Sequence, residues 1–195
     1  DNSLQIISDG WRGGVCTFDN PIIFEQKSDF VLGGILAGAL GVGLAFLKVS
    51  GEKIDVCSKN IGLSLWRPDI NWLESNAIGP QVTYLPQKYW FVGLGHLGQA
   101  FVWTLGLLSF ADPAKVSVVL QDTDFVSVSN LETGLLSEYN NIEMKKARVC
   151  ADGLEKRKIP TRIIEKKFNK NTAPEYGEPL LLMRCLDSTK SKKQI

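Results

Sequence analysis

The sequence has no excess of charge of either sign and no paired-cysteine motif, and it contains a single histidine. Its 22 basic and 21 acidic residues give a net charge of +1, which indicates neither a nucleic-acid-binding surface nor an acidic tail. The 4 cysteines contain no C-x-x-C pair, which argues against a zinc or thioredoxin-like site and favours reduced, mostly buried thiols. The opening DNSLQII also lacks the basic and then apolar segments of a signal peptide. We therefore expect a cytoplasmic protein that does not bind nucleic acid.

A single long uncharged apolar run covers residues 30–47 and includes the pattern G-x-x-x-G. As a helix it would measure about 27 Å, just short of a bilayer core. Its ends are typical of a globular helix, with Ser28 or Asp29 as a cap, Lys48 in the last turn and Gly51 beyond it. Each glycine costs about 0.8–1 kcal/mol relative to alanine, which close packing against another backbone can offset. We expect a buried helix rather than a membrane span.

Residues 1–86 are predicted to form an N-terminal extension that contains this apolar helix and several short strands. The strand candidates are LQIIS, VCTF, 53–57 and 61–66. A domain boundary is indicated near Gly79–Pro80 or Pro86. The residue pattern of this extension assigns no function to it.

Strands and helices alternate from Lys88 onward. YWFV predicts a buried strand, residues 97–108 a helix, and residues 116–120 a second strand. Such a βαβ unit is almost always right-handed and parallel. A further helix and two further strands are predicted at 145–156, 161–168 and 180–186. The expected fold class is α/β, with a doubly wound, mainly parallel Rossmann-like sheet over residues 87–195.

The segment YWFVGLGHLGQ places G-x-G-x-x-G between the first of these strands and its helix. In that position Gly93 allows a tight turn, Gly95 lets a phosphate approach the backbone, and Gly98 lets the helix pack against the strand. The exposed amides and the positive helix end favour an anion. Asp122, at the end of the second strand, could hold ribose hydroxyls or merely cap a turn. A dehydrogenase would show the same features.

The run VVLQDTDFVSVSNL, residues 118–131, distinguishes these possibilities. Together with the glycine loop it resembles the ThiF–MoeB–HesA family, relatives of the ubiquitin-activating enzymes. The resemblance covers about residues 88–195. The matching positions are Gly93, Gly95, Gly98, Asp122, Asp124, Val126, Ser129, Asn130, Leu131, Lys146 and Asp187.

This resemblance implies ATP-dependent adenylation of a carboxylate, commonly the C-terminal glycine of a small ubiquitin-like carrier protein. It implies ATP and Mg²⁺ as cofactors, and a homodimer is expected. The implied catalytic residues are Lys146, Asn130 and Asp187. The implied nucleotide-binding residues are Gly93, Gly95, Gly98, Asp122, Asp124, Asn130 and Lys146, with Asp187 as the Mg²⁺ ligand. Asp122 would hold the ribose, and Lys146 would stabilise charge on the phosphate oxygens. The neighbouring Lys145 leaves the choice between the two lysines open.

The sequence departs from the family pattern in two places. Thr133 stands where the family has an arginine that touches the ATP phosphates, and Arg148 is one residue that could replace it. His96 replaces a glycine of the loop, and we expect it to pack or to cap the helix. The sequence also ends soon after Asp187, so we expect a domain that is incomplete at its C-terminus. The alternatives are a non-catalytic nucleotide-binding or scaffold subunit and, third, an NAD-dependent oxidoreductase.

Overall fold

The structure is a computed structural model, and it describes residues 3–17, 21–25, 28–51, 60–172, 174, 177 and 182–185. The chain divides into two compact units, Asp1–Tyr84 and Leu85–Ile195. Two sequence-based expectations, the strand at 53–57 and the role of Asp187, concern residues outside the described part.

The first unit is built on a three-stranded antiparallel sheet with the order β1-β2-β3. The strands are β1 (Leu4–Asp9), β2 (Arg12–Thr17) and β3 (Ile61–Ser64). A short 3₁₀ helix at Ser75–Ile78 follows the sheet. The central strand β2 is buried along its whole length because it has a partner strand on each side and neighbours on both faces.

Helix α1 (Val31–Val49) covers one face of this sheet through Gly33, Ala37, Gly41 and Leu44. The expectation of a buried helix is wrong for the opposite side, where Val42 is 71% and Phe46 69% exposed. A single sheet can cover only one side of a helix, and the described residues place no second layer on the other. By length and composition alone α1 could cross a membrane, and 22% of its apolar window is buried.

The ends of α1 differ in how well the sequence predicts them. Neither Ser28 nor Asp29 caps the helix, because the N-cap residue is Phe30 and it has no side-chain cap. Lys48 lies in the last turn as expected. Gly51 follows with a φ of +78°, the left-handed conformation that commonly ends a helix.

The second unit contains the expected parallel α/β sheet, with the strand order β6-β5-β4-β7. Its strands are β4 (Lys88–Val92), β5 (Ser117–Gln121), β6 (Thr161–Ile164) and β7 (Leu182–Arg184). Its helices are α2 (His96–Gly106) and α3 (Lys146–Glu155), with 3₁₀ helices at Pro113–Lys115, Val128–Asn130 and Tyr139–Asn141. Strand β6 is shorter than the predicted 161–168, because exposed charged residues follow Ile164.

The core of this unit follows the alternation of side chains along the strands. Phe91 and Leu120 lie in one cluster with residues of α2 and α3, whereas Trp90 and Val119 belong to a second cluster. Both clusters are buried, so β4 and β5 have no solvent-exposed face. Burial on both faces accounts for the uninterrupted apolar residues in the sequence of these two strands.

Strand order places a crevice at the carboxyl end of β4. The chain runs from β4 to β5 on one side, while β7 pairs with β4 on the other. In open parallel sheets, ligands bind at this kind of switch point. The glycine loop follows β4 directly, so it lies at the crevice.

A candidate nucleotide-binding site

The turn that leaves β4 depends on two glycines. Gly93 has a φ of +86°, in the left-handed region that favours glycine. A side chain at Gly98 would overlap the carbonyl oxygen of Gly93 and would also lie 3.4 Å from the Cβ of Cys185. Helix α2 can therefore pack onto the turn only because residue 98 has no side chain.

Gly95 differs from these two glycines. It is the N-cap residue of α2, with φ −70° and ψ −163°, a backbone conformation open to other residues. A Cβ at this position would meet no described atom within 4 Å. Neither backbone strain nor packing within the described residues explains a glycine here, so the backbone at Gly95 is open to a ligand.

Asp122 connects the glycine loop to the turn that follows β5. Its Oδ2 accepts a hydrogen bond of 2.5 Å from the Leu94 N–H, and its Oδ1 accepts one of 2.7 Å from the Asp124 N–H. Asp122 therefore caps a turn, which is one of the two roles that the sequence leaves open for it. It also fixes the glycine loop. A carboxylate has about four acceptor sites, so two backbone bonds leave capacity for ribose hydroxyls.

Lys146, the first residue of α3, lies beside Asp124. Its Nζ is 3.4 Å from Asp124 Oδ2, and the Lys146 side chain is 12% exposed whereas that of Asp124 is 66% exposed. Lys145 is engaged elsewhere: its Nζ donates to the Thr123 carbonyl at 2.8 Å and lies 3.9 Å from the centre of the Phe125 ring. Of the two lysines, Lys146 is the one next to the Asp124 carboxylate.

Asn130 stabilises the 3₁₀ turn in which it lies. Its Oδ1 accepts hydrogen bonds from the backbone N–H of Ser127 at 2.9 Å and from the Ser127 hydroxyl at 3.1 Å. The side-chain oxygen is thus committed to the turn, and the amide nitrogen carries the donors that a ligand could use.

The two departures from the family pattern have clear positions. Thr133 is exposed, and the Arg148 guanidinium lies 3.5 Å from Asp152 and 3.6 Å from Glu155 on its own helix. Arg148 is therefore paired with acidic residues of its own helix. His96 is exposed and the N-cap is Gly95, so the expectation that His96 packs or caps the helix is wrong.

The described cysteines are buried, as expected: Cys16, Cys150 and Cys185 are free and inaccessible. Burial raises the pKa of the Cys150 thiol to about 12, and the negative charge of Asp122 raises it further, while Lys146 opposes the shift. Burial raises the pKa of Cys185 to about 11. A thiol that stays protonated at neutral pH is a poor nucleophile, so neither residue is suited to thioester chemistry.

Sequence reasoning missed Gln99, which lies directly after the third glycine of the loop. It is 1% exposed, and its Nε2 donates to the Leu94 carbonyl at 3.3 Å and to the Ser137 hydroxyl at 3.0 Å. Its Oε1 accepts from the Leu136 N–H at 3.0 Å. The available signal was a polar side chain at a position of α2 that otherwise belongs to the buried face.

An α/β unit with a glycine loop at the switch point of a parallel sheet has the architecture of a nucleotide-binding domain. The family model of the BilD C-terminal domain matches residues 85–195, and the model of the BilD N-terminal domain matches residues 1–65. The chain therefore belongs to the BilD family.

The chain is 33% identical over 195 residues to "Bacterial E1-like protein BilD" of Collimonas sp. (strain OK412). The match includes the whole of this chain but 42% of that relative, so the chain spans less than half of the relative's length.

Two solved structures resemble the chain more distantly. The E. coli tRNA N6-threonylcarbamoyladenosine dehydratase TcdA in complex with ATP has a TM-score of 0.44 and 18% identity, covering 52% of this chain and 42% of TcdA. E. coli MccB with ATP has a TM-score of 0.38 and 16% identity, covering 87% of this chain and 55% of MccB. Neither likeness assigns a ligand or a residue role to this chain.

Proposed function

We propose that the unit Leu85–Ile195 binds ATP and adenylates a carboxylate, namely the C-terminal glycine of a ubiquitin-like carrier protein. The observation that supports this proposal is the meeting of three features at the carboxyl ends of β4 and β5. These features are the open backbone at Gly95, the Asp122 carboxylate and the Lys146–Asp124 pair. The name of the Collimonas relative, an E1-like protein, agrees with this class of reaction.

In the proposed reaction, a carboxylate oxygen attacks the α-phosphorus of ATP. The bond from that phosphorus to the bridging oxygen of the β-phosphate breaks, so pyrophosphate leaves and an acyl adenylate remains. Charge accumulates on the phosphate oxygens during this step, and fixed cations and N–H groups that face those oxygens lower the barrier. Gly95 and the N-terminus of α2 would supply the N–H groups, and Lys146 the cation.

Lys146 suits this role because its present partner is easily replaced. The Nζ of Lys146 is 3.4 Å from the Asp124 carboxylate, whose side chain is 66% exposed, so solvent around that carboxylate weakens the ion pair. A nucleotide phosphate carries more negative charge than Asp124 and would compete well for the ammonium group. Asp122 would hold the ribose, and Asn130 would donate from its amide nitrogen.

Mg²⁺ would offset the charge of the pyrophosphate group, and Asp187 is the proposed ligand. Mg²⁺ prefers phosphate, water and carboxylate oxygens, so it would take most of its ligands from the nucleotide and from solvent. Both oxygens of Asp122 already accept backbone N–H groups, so Asp122 fits a ribose-binding role better than a metal-binding one.

The two lysines provide the test. We expect Lys146→Ala to lower ATP–pyrophosphate exchange by about 100-fold or more, in line with the loss of one group that stabilises transition-state charge. Lys145→Ala is the matched control, since Lys145 contacts Thr123 and Phe125 instead, and it should keep exchange within a few-fold. Exchange would be measured with ubiquitin-fold proteins ending in glycine, together with Mg²⁺. Equal losses in both variants would contradict the assignment.

A non-catalytic nucleotide-binding or scaffold subunit is the second candidate. Thr133, which is exposed, stands in place of the family's arginine, and Arg148 is paired with Asp152 and Glu155. Neither residue therefore supplies an arginine for the ATP phosphates, which favours this candidate. ATP binding in calorimetry without pyrophosphate exchange would favour this candidate over the enzyme.

The remaining parts of the proposal concern organisation. We propose that residues 1–86 and 87–195 are separate domains, which the compact units Asp1–Tyr84 and Leu85–Ile195 support. A homodimer and a cytoplasmic location are proposed as well, and sedimentation of the full chain would test the first of these.

A further inference from the structure

We propose that Gln99 is a positioning residue of this site, because it sets the orientation of the Leu94–Gly95 peptide and so turns the Gly95 N–H toward the phosphate. This inference rests on the proposed function, since it names the residue that prepares the glycine loop for its anion. Gln99 is buried and bonds to the loop backbone at Leu94, so it would act through that backbone.

Leu94 is held at both of its backbone groups. Its N–H donates to Asp122 Oδ2 at 2.5 Å, and its carbonyl accepts from Gln99 Nε2 at 3.3 Å. The Leu94 side chain is fully buried, which fixes the residue between these two bonds. The loop therefore has little freedom at this point, although its backbone lies beside an open space.

The geometry of the peptide bond then determines the direction of the Gly95 N–H. A trans peptide is planar, with its C=O and its N–H pointing in opposite directions. The carbonyl of Leu94 and the N–H of Gly95 belong to one such plane. Because Gln99 draws that carbonyl toward the protein interior, the N–H of Gly95 must point outward. A Cβ at Gly95 would meet no described atom within 4 Å, so other described residues leave this part of the loop backbone uncovered.

The carboxamide of Gln99 is itself held in place by the segment 134–137. Its Oε1 accepts from the Leu136 N–H, and its Nε2 also donates to the Ser137 hydroxyl. A Cβ at Gly134 would lie 2.7 Å from that Oε1, so a side chain there would push the amide away. Gln99 thus connects the glycine loop, at Leu94, to the segment 134–137 that follows Thr133.

The test compares ATP with adenosine, which lacks phosphates, by calorimetry on the full chain. Gln99→Met keeps length and volume but removes the bond to Leu94 together with those to Leu136 and Ser137, and we expect ATP affinity to fall at least about tenfold. Adenosine affinity should stay within about twofold, because the ribose and base contacts do not depend on Gly95. Ser137→Ala is the matched control: it removes one partner of Gln99, leaves the Leu94 bond in place, and should preserve both affinities.

A second readout needs no nucleotide. The amide NMR signal of Gly95 in the ligand-free chain should shift in Gln99→Met and stay in place in Ser137→Ala. If the Met variant does not fold, Gln99→Asn, which is too short to reach Leu94, replaces it in both measurements. An unshifted Gly95 signal, or equal losses for ATP and adenosine, would overturn the role of Gln99. Failure of the wild-type chain to bind ATP would instead refute the proposed function, and the Gly95 signal would still decide the orientation of the peptide.

Discussion

The glycine loop and helix α1 both contain several glycines, and they use them for different reasons. In the loop, Gly93 is left-handed and Gly98 has no space for a side chain, whereas Gly95 has ample space. In α1, a Cβ at Gly33 would crowd backbone carbonyls of the sheet, whereas one at Gly38 would meet no described atom within 4 Å. Each region thus contains glycines that its own fold requires and at least one, Gly95 in the loop and Gly38 in α1, that it does not. The unexplained glycine of the loop belongs to the G-x-G-x-x-G pattern, and Gly38 belongs to the G-x-x-x-G pattern of the apolar run.

The largest expected effect in this comparison comes from Gly98→Ala. The new methyl group would overlap the Gly93 carbonyl, which belongs to the turn fixed between β4 and α2. We expect the free energy of unfolding to fall by about 3 kcal/mol or more, as for severe overpacking. Urea unfolding of the full chain would measure it. Wild-type stability in this variant would show that α2 does not pack on the turn as described.

Gly95→Ala should separate stability from function. Since the added methyl group would meet open space, the free energy of unfolding should stay within about 0.5 kcal/mol of wild type. ATP affinity should fall at least about tenfold, because the methyl group would occupy the side from which a phosphate approaches. Urea unfolding and calorimetry would test the two parts. A variant that binds ATP normally would mean that the nucleotide does not approach Gly95.

The smallest expected effect is a gain in stability from Gly38→Ala in α1. With open space around the added methyl group, the higher helix propensity of alanine should raise the free energy of unfolding by about 0.8–1 kcal/mol. Gly33→Ala is the contrasting variant, and it should be destabilising because its Cβ would lie 2.8 Å from the Arg12 carbonyl oxygen. Thermal unfolding would rank both against wild type. A loss of stability in Gly38→Ala would indicate that the face is covered in the folded protein.

The sequence predicts the second unit well because its signals are local. The apolar strand β4, the glycine loop and the apolar periodicity of α2 follow one another directly, and the structure confirms the parallel α/β sheet that they indicate. The roles assigned to Lys146, Asn130 and the nucleotide-binding glycines stay predictions.

The sequence predicts less where contacts are distant or the pattern is uniform. Asp122 and Leu94 lie 28 residues apart, and Gln99 and Ser137 lie 38 apart, so no local spacing indicates either pair. In α1 nearly every position is apolar or small, so no periodicity shows which side faces the sheet. The solvent exposure of Val42 and Phe46 follows from the number of layers around the helix, which composition does not specify.

The strand order of the parallel sheet also bears on how the molecule folds. The connections from β4 to β5 and from β5 to β6 each contain one α-helix together with 3₁₀ turns, so these pairings close shorter stretches of chain than the pairing of β4 with β7. Trp90 of β4 pairs with Leu182 of β7 across almost the entire unit. Closing a long loop costs more entropy, and distant pairings slow folding, so we expect β7 to join last. The crevice at the glycine loop would then be completed in the final step of folding, the step that a bound nucleotide would make harder to reverse.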